Sequence, residues 1–501
     1  MSTHLLSKSS FIKGLQCEKH LYLYKYHYNE MDELSEMQKA IFQRGTNVGE
    51  LAQQLFPNGI LATTGKPPDY NKGLIKTNDL IKQGQKVIYE ATFRFNEVLS
   101  IADIIVKYED GLSRRSAAKP EWNIYEVKSS TSISETYLND AALQYYVLSN
   151  AGLKINDFSI IYINNQYVRE GDLDLIKLFN IESVLQLILP LQDFVIENVE
   201  RFKNVIRNKT MPQIDIGEQC YTPYRCGFFN YCRKHIPADS IFDFSGMHLK
   251  KKFDLYREGI IKFDDVPGDY PLNRNNGIQL DVYKSGEPII DKNAIKNFLT
   301  ELSYPLYFMD FETFQPAVPL FDNTRPYQQI PFQYSVHFKK SADSELEHFE
   351  FLADPGEDPR QKFIENLLKV TEPPGDIIVY NKTFEKTRLK EIARDLPGYA
   401  EQIDERLSRI KDLMIPFQRR YYVTPEMKGS YSIKYVLPSL VSELSYNNLE
   451  INEGGIASIT FESLQTETDL MIIAETRKQL LEYCKLDTLA MVKILEKLDS
   501  L

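Results

Sequence analysis

Apolar and polar positions along the chain follow two rhythms. Between residues 86 and 128 the segments LSIADIIVKYED and WNIYEVKSS are rich in strand formers and predict β-structure. RGTNVGE, from Arg44, predicts the start of an amphipathic helix, and DAALQYYVLSNAG predicts another after the strands. Residues 241–300 are polar and punctuated by the turn signals VPGDYP, RNNG and KSGEP, so a small helical module with linker is expected. From 301 the apolar strand YPLYFMDF opens an alternation of strands and helices. Within it, IIVYNKTFEKTRLKEI reads as a buried strand running into a helix, and LLEYCKLDTLAMVKILEKL has amphipathic helical spacing. The pattern therefore predicts an α/β chain in three segments, 1–240, 241–300 and 301–501, with no repeat or low-complexity tract.

Composition adds limits. At 501 residues the chain exceeds what one hydrophobic core organises, so more than one domain is required. No stretch approaches the roughly 18–20 apolar residues of a membrane span, and MSTHLLSKSSFIKG lacks the apolar core of a signal peptide. The expectation is a cytoplasmic protein with no membrane partner. A net charge of −11 is unlike a dedicated nucleic-acid backbone binder, but an enzyme holding divalent metals needs clustered carboxylates. The basic runs Arg201–Lys209, Lys250–Lys252 and Arg419–Arg420 read as solvated faces.

Asp310 and Glu312 stand two apart on a predicted strand, hence on one face, where both can reach one metal. Glu385 follows a predicted strand–helix junction at Asn381, and Tyr483 and Asp487 lie one helical turn apart. Asp412, in RIKDLMIPF, is a further candidate acid. In order and spacing these segments resemble the three motifs of the DnaQ-like (DEDD) exonucleases, tyrosine subtype. GSYSIKYVLPSL is similar to the Ser-Leu-Lys helix between that family's last two motifs. The resemblance implies an RNase H-like domain in which Asp310, Glu312 and Asp487 bind Mg²⁺ or Mn²⁺ and Tyr483 positions the attacking water. Asn381-Lys-Thr-Phe384-Glu385 carries glutamate where that family has aspartate.

Toward the N-terminus, Asp103 and Glu126 lie on predicted strands that can pair antiparallel, giving a carboxylate pair for metal. Lys128 shares a strand face with Glu126 and can stabilise developing phosphate charge, while Gln144 lies on the following helix. Together with the Arg44-Gly45-Thr46 helix these resemble the PD-(D/E)XK nucleases, most closely the RecB-like branch, and imply a restriction-endonuclease-like fold. Where that branch carries histidine this chain has Gly49, with Glu50 as the helix-borne acid. Cys220, Cys226 and Cys232, with Cys17 far upstream, form a set that in a reducing compartment binds metal more often than it forms disulfides. Soft thiolates suit a [4Fe–4S] cluster or zinc. One cysteine before and three after the core resembles the iron–sulfur staple of AddB nucleases and CRISPR-associated RecB-like exonucleases, with His235 as a stand-in ligand; Cys484 reads as packing. Combined, these resemblances imply a metal-dependent nuclease acting on single-stranded DNA. RNA as substrate, or a nucleic-acid-binding scaffold with one or both sites inactive, are the alternatives.

Overall fold

A computed structural model describes residues 4–63, 65, 68–108, 120–446 and 449–501. Residues 109–119 of the predicted strand-rich stretch lie outside the described residues. The chain is mixed α/β and divides into two compact units, 1–235 with 317–326, and 236–316 with 327–501. The segment 241–300 thus belongs to the second unit.

The first unit is built on one sheet. Its strands are β1 (Leu6–Ser7), β2 (Ile60–Leu61), β3 (Val87–Phe95), β4 (Val98–Lys107), β5 (Glu121–Lys128), β6 (Lys154–Ile163) and β7 (Phe179–Ser183). The order is β2-β3-β4-β5-β6-β7, with β1 pairing parallel to β4. The expected antiparallel pairing of the Asp103 and Glu126 strands is present: Ile104 pairs with Tyr125, which sets Asp103 beside Glu126. β6 runs parallel to β5, so α5 (Glu135–Asn150) spans the crossover between them. The remaining helices used below are α1 (Lys8–Gln16), α2 (Glu18–Tyr26), α3 (Glu36–Gln53), α4 (Tyr70–Lys82) and α6 (Gln192–Asn208). The core joins Ile124, Leu143, Val199 and Phe202 to Phe11 of α1. Gly14 explains how α1 seats so closely, because a Cβ there would stand 2.8 Å from the Phe202 ring. The helix expected to begin at Arg44 instead begins at Glu36, where Ser35 and Gln38 form a reciprocal capping box.

The second unit opens with the helices α7 (Leu249–Arg257), α8 (Arg274–Ser285) and α9 (Lys292–Thr300), with β8 (Ile289–Ile290) before α9. A small core of Ile241, Phe244, Leu255, Phe263 and Leu280 holds the first part of this region. The main sheet contains β9 (Leu306–Phe314), β10 (Ile330–Lys339), β11 (Leu346–Leu352), β12 (Asp376–Val379) and β13 (Ile410–Asp412), in the order β11-β10-β9-β12-β13. β10 is antiparallel to both β9 and β11, whereas β12 is parallel to β9 and to β13. A separate short strand, β14 (Tyr422–Val423), pairs with β8. Helices α10 (Pro359–Val370), α11 (Lys382–Asp395), α12 (Ala400–Arg409), α13 (Ile433–Leu440), α14 (Gly454–Leu464) and α15 (Leu470–Asp499) complete the unit. No helix among the described residues is long and apolar enough to cross a membrane.

Candidate functional site

The central strand β9 presents Asp310 and Glu312 on one face, as its period of two requires. α15 brings Asp487 to them, and the three residues offer carboxylate oxygens all within 4.8 Å of one another. Among the described residues this is the one group of three or more acids, histidines or cysteines with that convergence. Three crowded acids, Glu312 and Asp487 buried and Asp310 half-buried, disfavour their charged forms twice, by lost solvation and by mutual repulsion. Burial and Asp487 hold Asp310 well above the carboxylate range. Burial, Asp310 and Asp487 do the same to Glu312. Asp487 is raised only to about 6, because the Tyr446 hydroxyl donates to its Oδ1 at 2.6 Å and Lys434 lies close enough to favour the charge.

Glu385 is the fourth acid. It lies on the first turn of α11, is buried, and its Oε2 has no hydrogen-bond partner. Burial and the charge of Asp310 push its pKa well up. A buried carboxylate oxygen without a donor is costly unless a cation completes it. That orphaned oxygen, beside three converging carboxylates, fits a divalent-ion site made of hard oxygen ligands. Asp412 is not part of this group. Its two oxygens accept the backbone N–H groups of Asn381, Lys382 and Met414 at 3.0–3.2 Å, so it fixes the turn that launches α11.

Tyr483 is buried on α15, one turn before Asp487. Gly454, the first residue of α14, leaves room in front of it: a Cβ there would lie 3.4 Å from Glu312 Oε2 and 3.9 Å from the Tyr483 hydroxyl. Cys484 packs with its sulfur 3.9 Å from Asp310 Oδ2. Lys434, Tyr446 and Gly454 are site residues that sequence reasoning did not single out. Lys434 does stand in GSYSIKYVLPSL, and its Nζ donates to Asn452 O at 2.7 Å rather than to an acid.

The acids of the first unit are arranged differently. Asp103 Oδ2 accepts the Val127 N–H at 2.7 Å. Glu126 is buried, and Lys128 Nζ donates to its Oε1 at 2.7 Å and to Asp140 Oδ2 at 2.7 Å. A second ammonium, Lys8 from the start of α1, donates to both Glu126 oxygens at 2.8 and 3.0 Å and to Ile101 O at 3.2 Å. Burial works against the Glu126 charge, yet Lys128 and Lys8 outweigh it and hold its pKa well below the usual range. Asp103 lacks such a partner, and burial with the Glu126 charge pushes it up to about 8. Glu90 joins them: Tyr89 pairs with Ile104 and Ala91 with Ala102, so Glu90 stands opposite Asp103. Its φ of 51° is unusual for a side chain of that size.

Gln144 is fully buried, with neither its amide nitrogen nor its amide oxygen hydrogen-bonded. Glu50, expected among the acids, is exposed on α3 and makes no described contact with them; a Cβ at Gly49 would likewise meet nothing within 4 Å. Lys8, Glu90 and Asp140 were not found from sequence. Nothing local marks them, because Lys8 lies 118 residues from Glu126.

Cys17, at the junction of α1 and α2, lines one small cavity with Cys220, Cys226 and Cys232. The cavity is lined by His20, not His235. Burial pushes the Cys226 thiol up to about 12 and raises Cys220 and Cys232 as well, so these sulfurs are costly to ionise without a bound cation. Tetrahedral zinc at about 2.3 Å would bring its sulfurs within about 4 Å of one another. Among the described residues, no three of these thiols converge within 4.8 Å. Cys17, Cys220, Cys226 and Cys232 are the residues of this cavity that would hold a thiolate-bound metal group.

Comparison with known proteins adds the following. The family model described as a domain of unknown function, DUF2779, matches residues 307–432, the stretch carrying Asp310, Glu312 and Glu385. The chain is similar to Uncharacterized protein UU173 of Ureaplasma parvum serovar 3, 29% identical over 280 residues, 51% of this chain and 39% of that protein. It is also similar to Uncharacterized protein MG366 homolog of Mycoplasma pneumoniae, 27% identical over 220 residues, 40% of this chain and 33% of that protein. A third similarity is to Uncharacterized protein MG366 of Mycoplasma genitalium, 25% identical over 238 residues, 43% of this chain and 35% of that protein. The matched stretches thus span well under half the length of these relatives.

Proposed function

We propose that this protein is a metal-dependent nuclease whose second unit trims single-stranded DNA from the 3′ end. The observation that carries this reading is the convergence of Asp310, Glu312 and Asp487 within 4.8 Å, with buried Glu385 holding an unpartnered oxygen beside them. These four would hold Mg²⁺ or Mn²⁺, which supplies Lewis-acid stabilisation of the phosphate and a nucleophilic water. Tyr483 orients that water through its hydroxyl, Tyr446 fixes Asp487, and the bare Cα of Gly454 leaves space for the terminal nucleotide. The sheet order, with the acid-bearing β9 between an antiparallel and a parallel neighbour, supports an RNase H-like domain of the DnaQ-like kind. The β3–β4–β5 meander followed by an α5 crossover to β6, and the ring of four thiols, support a RecB-like unit with an iron–sulfur staple.

A second reading, a nucleic-acid-binding scaffold, is favoured for the first unit alone by one observation: both Glu126 oxygens already sit on lysine ammoniums. The test is digestion of single-stranded DNA and RNA labelled at either end, with Mn²⁺ and anaerobically purified protein. Asp310→Ala/Glu312→Ala is expected to lose 3′ trimming by on the order of 10³-fold. Cleavage that survives in this variant and disappears on further Glu126→Ala/Lys128→Ala substitution would belong to the first unit. Absence of cleavage of either polymer by the wild type with any divalent metal would overturn the enzyme reading.

A further inference from the structure

Around Glu126 in the first unit, Asp103 stands opposite on β4, Glu90 opposite Asp103 on β3, and Asp140 is joined to Glu126 through Lys128. Two ammoniums, Lys8 and Lys128, act on them. Asp140 is buried, and while its Oδ2 takes Lys128, its Oδ1 has no partner. A buried carboxylate oxygen without a partner, on the acid that Lys128 links to Glu126, is costly unless a cation completes it.

Lys8 is held where such a cation would need Glu126. β1 clips to β4 through Leu6↔Val98 and Ser7↔Leu99. Ser7 then caps α1 by a reciprocal box with Ser10, so the helix starts at Lys8 and the side chain is delivered onto Glu126. Its Nζ covers both carboxylate oxygens, the two positions from which Glu126 could ligate a metal. An ammonium is monovalent, makes no coordinate bond, and sits on a flexible stem, so a divalent ion can replace it on the same oxygens.

We propose that Lys8 is the resident counter-cation of the metal-free site in the first unit, and that a divalent ion binds Glu126 by displacing it. This rests on reading that unit as a metal site. α1 also ends one residue before Cys17, so the thiol cavity anchors the far end of the helix that carries Lys8. The displaced ammonium would remain near the acids, free to meet a phosphate oxygen of a bound strand.

The test uses the full chain with Asp310→Asn/Glu312→Gln to silence the other site, and Mn²⁺ alone as probe, with free Mn²⁺ followed by electron paramagnetic resonance. Lys8→Met is expected to tighten Glu126-dependent Mn²⁺ binding by about tenfold or more, since it removes a charge-assisted competitor. Lys8→Arg, which keeps the charge, should stay near the parent, and Glu126→Gln should abolish the binding. Should Lys8→Met fold poorly, the unsubstituted protein gives the same answer: Mn²⁺ should increase acylation of Lys8 by an amine reagent, read by peptide mass spectrometry. Unchanged or weaker Mn²⁺ binding in folded Lys8→Met, or Lys8 labelling that does not rise with Mn²⁺, overturns the proposal while leaving the metal reading intact. Absence of any Glu126-dependent Mn²⁺ binding overturns both.

Discussion

The two acid clusters use the same residue types and reach opposite electrostatic states. In the second unit Asp310, Glu312 and Asp487 crowd together with hydroxyl, thiol and glycine neighbours, and the nearby Lys434 is hydrogen-bonded elsewhere. In the first unit Glu126 carries two lysines on its own oxygens. One cluster is a crowding of like charges that protonation or an added cation relieves; the other is already partly satisfied. Buried like charges destabilise a fold, and buried matched charges become costly when one partner is removed. Removing a negative charge should therefore have opposite signs of effect in the two units, a contrast that activity measurements alone would miss.

The largest effect is expected from Glu126→Gln. Stripping the charge leaves Lys8, whose side chain is 23% exposed, without its carboxylate partner, and Lys128, 18% exposed, with Asp140 alone. Breaking a buried pair in this way costs about 3 kcal/mol. The sole tryptophan, Trp122, is buried on β5 with Glu126, so its fluorescence in a urea titration reports this unit selectively. A midpoint equal to wild type would show that the two lysines do not stabilise the folded unit, and the contrast would collapse.

Asp487→Asn should act the other way and more weakly, stabilising the metal-free second unit by about 1–2 kcal/mol at pH 8. The folded pKa of Asp487 is raised to about 6 from 3.8. The folded state therefore binds more protons than the unfolded one between these values, and wild-type stability falls as pH rises through the window. The gain from Asp487→Asn should be near zero below pH 4 and complete above pH 6. Taking the difference between the two proteins cancels the opposing trend from His337 and His348, whose pKa values burial lowers to about 3 and 4. Scanning calorimetry in EDTA measures it. Adding Mn²⁺ should reverse the order, since only the wild type retains the full ligand set.

How much of this was legible in the sequence follows from how local each signal is. Asp310 with Glu312, and Tyr483 with Asp487, are spaced by the periods of a strand and a helix, so their common faces could be read directly. The pairing of β4 with β5 was legible because two strand-like runs follow one another along the chain. Lys8 was not, because it lies 118 residues from the acid it meets and its place depends on β1 joining β4 and on the Ser7 cap. Asp412 looked like another ligand, but its oxygens are consumed by the backbone of a turn, a role that leaves no pattern in composition. The region 241–300 reads as a small helical module with linker, and Ile241, Phe244, Leu255, Phe263 and Leu280 give that module a small core although its apolar residues are sparse.

The smallest effect bears on the boundary of the first site. The Gly49–Glu50 pair was expected to supply its helix-borne acid, but α3 directs Glu50 to solvent and leaves open space at Gly49. Glycine inside a helix costs about 0.5–1 kcal/mol relative to alanine through backbone entropy alone. With no neighbour for the added methyl to strike, Gly49→Ala should raise stability by that amount, again read from Trp122, and leave Glu126-dependent Mn²⁺ binding unchanged. Glu50→Gln should move neither quantity. Loss of metal binding in either variant would mean that α3 turns this face inward when the ion binds. The site would then be assembled by its metal, and the two clusters would differ less than their metal-free forms indicate.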